Sequence, residues 1–276
     1  MKPSITITSS VPSRLLNPAS GYLKGYTHTL NPYGGCTFAC SYCYVREMPV
    51  GKFRGLAWGS WVHIKLEAAE RLARELRLAG RKGPLQIFMS SSTDPYQPIE
   101  YRTGLTRSLL EVMAASDNPA FLLVQTRSPL VTRDLDLLRS LGSRVRVSLT
   151  IETDLEPVRR AFTPSAPPLA ARLKALKELV AAGIPAQAAV SPVLPSSPCL
   201  ADVLASTGVT RLCVDDVFMG DGSQGKRTQR LGLHKLYDSL QLEEWNRPDA
   251  YLRVIETLKT RFPEESIRIS QEGFLP

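Results

Sequence analysis

Short apolar or alternating runs recur along this chain, separated by longer stretches with apolar residues at three- and four-residue spacing. Leu85–Met89 and Phe121-Leu-Leu-Val-Gln125 are apolar runs, and Val145-Arg-Val-Ser-Leu149 alternates. With Thr27–Leu30, Pro185–Val190 and Arg211–Val214 they make six candidate strands. Between them, Ile64–Leu78, Leu105–Met113, Arg133–Leu141 and Leu169–Ala182 read as amphipathic helices, the last closed by Gly183 as a C-cap. Strands that alternate with helices predict parallel pairing through right-handed crossovers. Six such units predict an α/β fold, a partial (β/α)6 barrel of the TIM-like type over residues 27–215.

The flanks differ in composition. Residues 1–26 form a polar lead rich in Ser and Pro, and 216–276 form an extension expected to pack on the barrel. The extension opens with a Gly-rich basic loop, Gly220–Arg230, that carries Lys226, Arg227 and Arg230. A helix over Pro248–Arg261 and a last strand over Ser266–Gln271 are expected to follow. Pro192, Pro195 and Pro198 break the chain after the fifth strand.

Composition narrows the class. A hydrophobic content of 43% over 276 residues supports a sizeable core. No apolar run approaches the ~18 residues of a membrane span, and Met1-Lys-Pro-Ser-Ile lacks a signal-peptide pattern. Five clustered cysteines do not make a disulfide framework, so a cytoplasmic protein with reduced thiols is expected. The net charge of +8, from 34 Lys and Arg against 26 Asp and Glu, permits nucleic acid as a partner without requiring it.

The chemistry concentrates at Cys36-Thr-Phe-Ala-Cys40-Ser-Tyr-Cys43. Gly34 and Gly35 before it allow a tight backbone turn, and Pro32 fixes the entry. Three thiolates at this spacing suit three irons of a four-iron cluster and leave the fourth iron open to a small molecule. Zinc is the competing reading, with His28, Cys199 or Cys213 as a fourth ligand. A non-catalytic zinc or iron–sulfur binding protein is therefore the alternative to an enzyme. In barrels of this kind, working residues sit at the C-terminal ends of strands. That rule selects Ser90–Asp94, Gln125–Arg127, and Ser148, Thr150 and Glu152, with Arg159 and Arg160 a little further on.

The Cys-x-x-x-Cys-x-aromatic-Cys motif, with Tyr42 as the aromatic, resembles the cluster loop of the radical S-adenosylmethionine (radical SAM) enzymes. Asn31-Pro-Tyr-Gly-Gly-Cys36, Cys40-Ser-Tyr-Cys43-Tyr44, Ser92-Thr-Asp-Pro-Tyr-Gln-Pro98, Thr106-Arg107, Arg133-Asp134 and the run from Val147 to Leu173 resemble the branch related to spore photoproduct lyase. The resemblance implies a [4Fe-4S] cluster on Cys36, Cys40 and Cys43, with the amine and carboxylate of S-adenosylmethionine on the open iron. It implies Ser92 and Asp94 beside the cofactor, Arg127 and Ser148 near the methionyl carboxylate, and the backbone near Tyr42 bordering the adenine. Arg127 stands where Lys is often found, which changes the geometry available for a carboxylate.

The reaction so implied is reductive cleavage to a 5′-deoxyadenosyl radical that takes hydrogen from a substrate, with a flavodoxin or ferredoxin as electron donor. A DNA photoproduct lyase is the narrower reading. In that enzyme a Cys after the second strand returns a hydrogen atom; Ser91 stands there in this chain. Cys199 and Cys213 offer no evident replacement, which argues against dimer repair.

Overall fold

The computed structural model describes residues 4–276. Its strands, in chain order, are β1 (Thr6–Ser10), β2 (Leu16–Pro18), β3 (His28–Leu30), β4 (Tyr33–Gly34), β5 (Trp61–Lys65), β6 (Gln86–Met89), β7 (Phe121–Thr126), β8 (Val145–Thr150), β9 (Ala186–Val190), β10 (Leu212–Val214) and β11 (Ile267–Ile269). The main sheet has the order β11-β10-β9-β8-β7-β6-β3-β2. Every neighbouring pair in it is parallel except β2 against β3. The six expected strands are present in the expected sequence, and the sheet gains an antiparallel edge and a further parallel strand.

Strand alternation separates two faces. Val145, Val147 and Leu149 of β8, with Ile87, Met89, Leu122, Val124, Ala188 and Val190, join a large core with helical residues such as Leu72, Leu76, Leu109, Met113, Leu176 and Leu179. The alternate residues Phe88, Leu123, Ala189 and Cys213 form a second cluster inside the barrel with Tyr26 and Phe274. Polar side chains share this inner face. Gln187 Nε2 donates to Ser148 Oγ (2.9 Å) and to Gly273 O (3.1 Å). The chain end is thereby seated inside the barrel, and Arg146 Nη1 donates to Leu275 O (2.8 Å). Gly273 is required there, because a Cβ would lie 2.2 Å from the Cys213 sulfur.

Two expectations change in detail, and the last expected strand is present. The helix expected from Ile64 runs over Ala68–Gly80, because Trp61-Val-His-Ile-Lys65 forms β5. This aromatic and β-branched segment pairs in parallel with β1, which lies 55 residues away in sequence. The polar lead is therefore structured, with β1 in a small three-stranded sheet and β2 on the edge of the main one. The expected extension supplies β11 to the main sheet, pairing Leu212 with Ile267 and Val214 with Ile269. Among the described residues, no helix is long and apolar enough to cross a membrane.

Candidate active site

The strand ends and the cysteine loop enclose a cavity of about 550 Å³. Cys36, Cys40 and Cys43 line it together with Tyr42, Ser90, Ser92, Asp94, Gln125, Arg127 and Thr150. The loop is built by close approach. Gly35 adopts φ +75°, and a Cβ there would lie 2.7 Å from both the ring and the carbonyl oxygen of Trp61. Ala39 takes the left-handed region at φ +52°, opposite Gly59, whose missing side chain makes room for it.

Hydrogen bonds then fix the loop. The fully buried Gln97 accepts from Thr37 N (3.0 Å) and donates to Gly35 O (3.1 Å), so one amide holds both sides of Cys36. Arg46 donates to the carbonyls of Cys40 (2.7 Å) and Ser41 (2.8 Å). Burial pushes all three thiols above their usual range; Asp94 adds to the effect at Cys36, and Cys43 rises to about 12. Such thiols ionise against a strong local positive charge, which a metal cluster supplies.

Asp94 is buried and both its oxygens are engaged. Oδ1 accepts from Tyr96 N (2.9 Å) and Thr126 Oγ1 (2.7 Å), and Oδ2 accepts from Arg127 N (2.9 Å). It ties the end of β7 to the end of β6 and so positions Arg127. Arg127 Nη1 donates to Tyr42 Oη (2.6 Å) and lies 3.5 Å from Glu152 Oε1. Glu152 in turn pairs with the fully buried Arg172 at 2.6 Å. Burial raises the Glu152 carboxyl, but Arg172 and then Arg127 outweigh it and hold the group below its usual value.

Ser148 lies beneath the cavity lining, where its hydroxyl accepts from Gln187 Nε2 (2.9 Å). Thr150, two residues further along the same face of β8, lines the cavity and accepts from Gln125 Nε2 (2.9 Å). Ser92 lies at the cavity, its N–H donating to Asn31 Oδ1 (2.9 Å). Arg159 is committed elsewhere, to Glu156 and the carbonyls of Thr163 and Ala166. Gln97, Asn31 and Arg172 lie within the segments that carry the resemblance, but sequence reasoning gave none of them a role of its own. It also missed the strain at Ser90, which sits at φ +77° with a buried hydroxyl that has no partner.

The donor set fits a cluster with an open position. Gln125 Oε1 and Ser90 Oγ are buried without partners, and both residues line the same cavity as the three thiols, as polar contacts for a bound molecule would require. The fourth-ligand candidates for zinc lie elsewhere. Cys199 is exposed, Cys213 is inside the barrel and His28 bonds Thr27; none of them lines this cavity. Among the described residues, no three His, Cys, Asp or Glu side chains converge as ligands of a single ion.

A parallel α/β barrel whose strand ends face a three-cysteine loop defines an iron–sulfur enzyme class. The chain belongs to the radical SAM superfamily, whose family model matches residues 30–196. Enzymes of this superfamily use a [4Fe-4S] cluster and S-adenosylmethionine. An uncharacterized protein of Methanocaldococcus jannaschii is 35% identical over 211 residues, covering 76% of this chain and 75% of that protein. A radical SAM Nα-GlyT isomerase of Pseudomonas phage M6 is 30% identical over 165 residues, covering 59% of this chain and 32% of that enzyme. Spore photoproduct lyase complexed with dinucleoside spore photoproduct superposes with a TM-score of 0.69 at 16% identity, over 96% of this chain and 82% of that one. A variant of that lyase with bound AdoMet and dinucleoside spore photoproduct gives a TM-score of 0.69 at 17% identity, over 98% and 82%. At such identities the likeness establishes the fold.

Proposed function

We propose that this chain cleaves S-adenosylmethionine reductively and directs the resulting radical at an organic substrate held in the same cavity. The carrying observation is the juxtaposition of three cysteine side chains with buried, unpartnered polar atoms in one cavity at the strand ends. When bound, the cluster and S-adenosylmethionine supply a 5′-deoxyadenosyl radical by one-electron reduction.

The chain's own residues bind and orient. Cys36, Cys40 and Cys43 would hold the cluster. Arg127 would meet the methionyl carboxylate, with Tyr42 and Glu152 fixing its guanidinium. Ser92 and Thr150 offer hydroxyls at the cavity, and Asp94 keeps the ends of β6 and β7 in place. The buried side chains around this wall exclude water from a reactive radical. A small acidic electron-transfer protein such as a flavodoxin or ferredoxin is the expected reductant.

Repair of DNA photoproducts is the reading suggested by the lyase neighbours, which are solved with a dinucleoside photoproduct. Against it, Cys36, Cys40 and Cys43 are the only thiols lining the cavity among the described residues, and Ser90, Ser91 and Ser92 stand where β6 ends. A substrate other than a thymine dimer is therefore favoured, nucleic acid included.

The test uses protein reconstituted and reduced without oxygen. A four-iron electron paramagnetic resonance signal that changes on adding S-adenosylmethionine, with release of 5′-deoxyadenosine, is expected. Bound zinc, or a cluster indifferent to the cofactor, sinks the proposal in favour of a binding protein.

A further inference from the structure

The cavity has a second wall that the cofactor residues leave unexplained. Leaving β10, four strands beyond β6 in the sheet, Asp215 and Asp216 both line it. Asp215 is held rigidly. Its N–H donates to Val190 O (3.1 Å) and its carbonyl accepts from Val193 N (2.7 Å). Tyr22 Oη donates to its Oδ2 (3.1 Å) and is itself steadied by Ser270 Oγ (3.0 Å). Gly220 approaches the same carboxylate so closely that a Cβ there would lie 2.2 Å from Oδ2. Asp216 uses Oδ1 to accept from Phe218 N (2.8 Å) and Met219 N (2.6 Å).

Each carboxylate keeps one oxygen without a protein partner, Oδ1 of Asp215 and Oδ2 of Asp216. The two residues are only 3% and 6% exposed, so bulk water is a poor substitute. Neither has an ion-pair partner among the described residues, in a chain with a net charge of +8. The two arginines lining the cavity pair with other groups and not with these acids. Arg127 is engaged by Tyr42 and Glu152, and Arg227 Nη1 donates to Asp221 O (2.7 Å). The Asp221 carboxylate is filled by backbone donors of Ser223, Gly225 and Arg227. Tyr22, Phe88 and Phe274 supply an aromatic wall beside the acidic pair, with ring centroids 6.2 to 6.3 Å apart.

Buried carboxylate oxygens are rarely left unpaired without a reason in function. We propose that Asp215 and Asp216 receive a cationic nitrogen, a primary ammonium group of the substrate, with its carbon skeleton against Phe88 and Phe274. This deepens the proposed function and rests on the reading of the cavity as a radical SAM site. Burial pushes Asp215 up to about 7 in the free protein; Tyr22 opposes that shift and the neighbouring Asp216 adds to it. A cation beside Asp215 would offset the burial that raises it.

The test is equilibrium dialysis of labelled 1,4-diaminobutane against reconstituted enzyme with S-adenosylmethionine, with unlabelled 1,4-butanediol as competitor. Saturable binding at one site is expected, weakened at least about tenfold in Asp216→Asn and in Asp215→Asn and indifferent to the diol. Iron content checks that each variant is folded. If Asp215→Asn fails that check, Asp216→Asn and the diol comparison on the unaltered protein still decide. No saturable binding, equal binding by the Asp variants, competition by the diol, or displacement by magnesium ion would each overturn the proposal. Absence of 5′-deoxyadenosine release from the unaltered enzyme counts against the proposed function instead, since diamine binding is read without it.

Discussion

Arg172→Met tests the buried charge network behind the site. Arg172 and Glu152 are both fully buried, and their closest N–O distance is 2.6 Å. Removing one partner of such a pair leaves an uncompensated buried charge, at a cost of about 3–5 kcal/mol. Here Arg127 remains 3.5 Å from Glu152, so the lower part of that range applies, about 3 kcal/mol. At roughly 2–4 °C per kcal/mol for a chain of this size, the melting temperature falls by about 10 °C. Glu152→Leu leaves Arg172 unpaired and costs a similar amount. The double variant removes both charges, and its cost falls short of the sum of the singles by about 2 kcal/mol or more.

Anaerobic thermal and urea unfolding of the four proteins measures this coupling. Additivity within about 0.5 kcal/mol would refute the reasoning. The network also predicts a pH dependence. The Glu152 carboxyl titrates below its unfolded value in the folded chain, so its contribution is complete above about pH 4.3. That contribution is lost as pH falls through the lower folded value, and Arg172→Met shrinks the acid-side loss.

Cys36→Ala, Cys40→Ala and Cys43→Ala should each abolish 5′-deoxyadenosine formation and lower iron content, while the exposed Cys199→Ala leaves both intact; iron loss in Cys199→Ala would overturn the three-ligand assignment. Gly35→Ala forces a Cβ into Trp61 at positive φ, so roughly 1–3 kcal/mol of strain and a lower cluster occupancy are expected, read by iron and sulfide analysis. Thr150→Val leaves Gln125 with neither amide atom paired and should raise the Kd for S-adenosylmethionine about tenfold; Ser148→Ala, beneath the cavity, should leave that Kd unchanged. The opposite ranking of these two variants would assign Ser148 to the cofactor wall.

Local signals were sufficient for much of this protein. The strand runs around Ile87, Val124 and Val147 announce their elements by periodicity, because side-chain burial on a sheet follows the backbone repeat. The thiol spacing from Cys36 to Cys43 announces the superfamily, because that motif lies in one short segment. What sequence could not announce are pairings between distant segments. β1 meets β5 only through tertiary packing, which turned an expected helix start at Ile64 into strand. Gln97 grips the loop around Cys36 across 60 residues, and Arg172 reaches Glu152 across 20. Such partners are ordinary polar residues until the fold removes them from water.

The depth of a side chain along its strand is likewise invisible in the pattern. Ser148 and Thr150 share a face of β8 and look equivalent in sequence. Only the closing of Gln187 onto one and of the cavity onto the other separates them. The sequence by itself determined the class of chemistry and the order of the barrel strands, since both reside in contiguous residues. Tertiary structure decided which polar groups face the cavity and which are spent holding it, because burial and hydrogen-bond satisfaction are properties of the assembled whole.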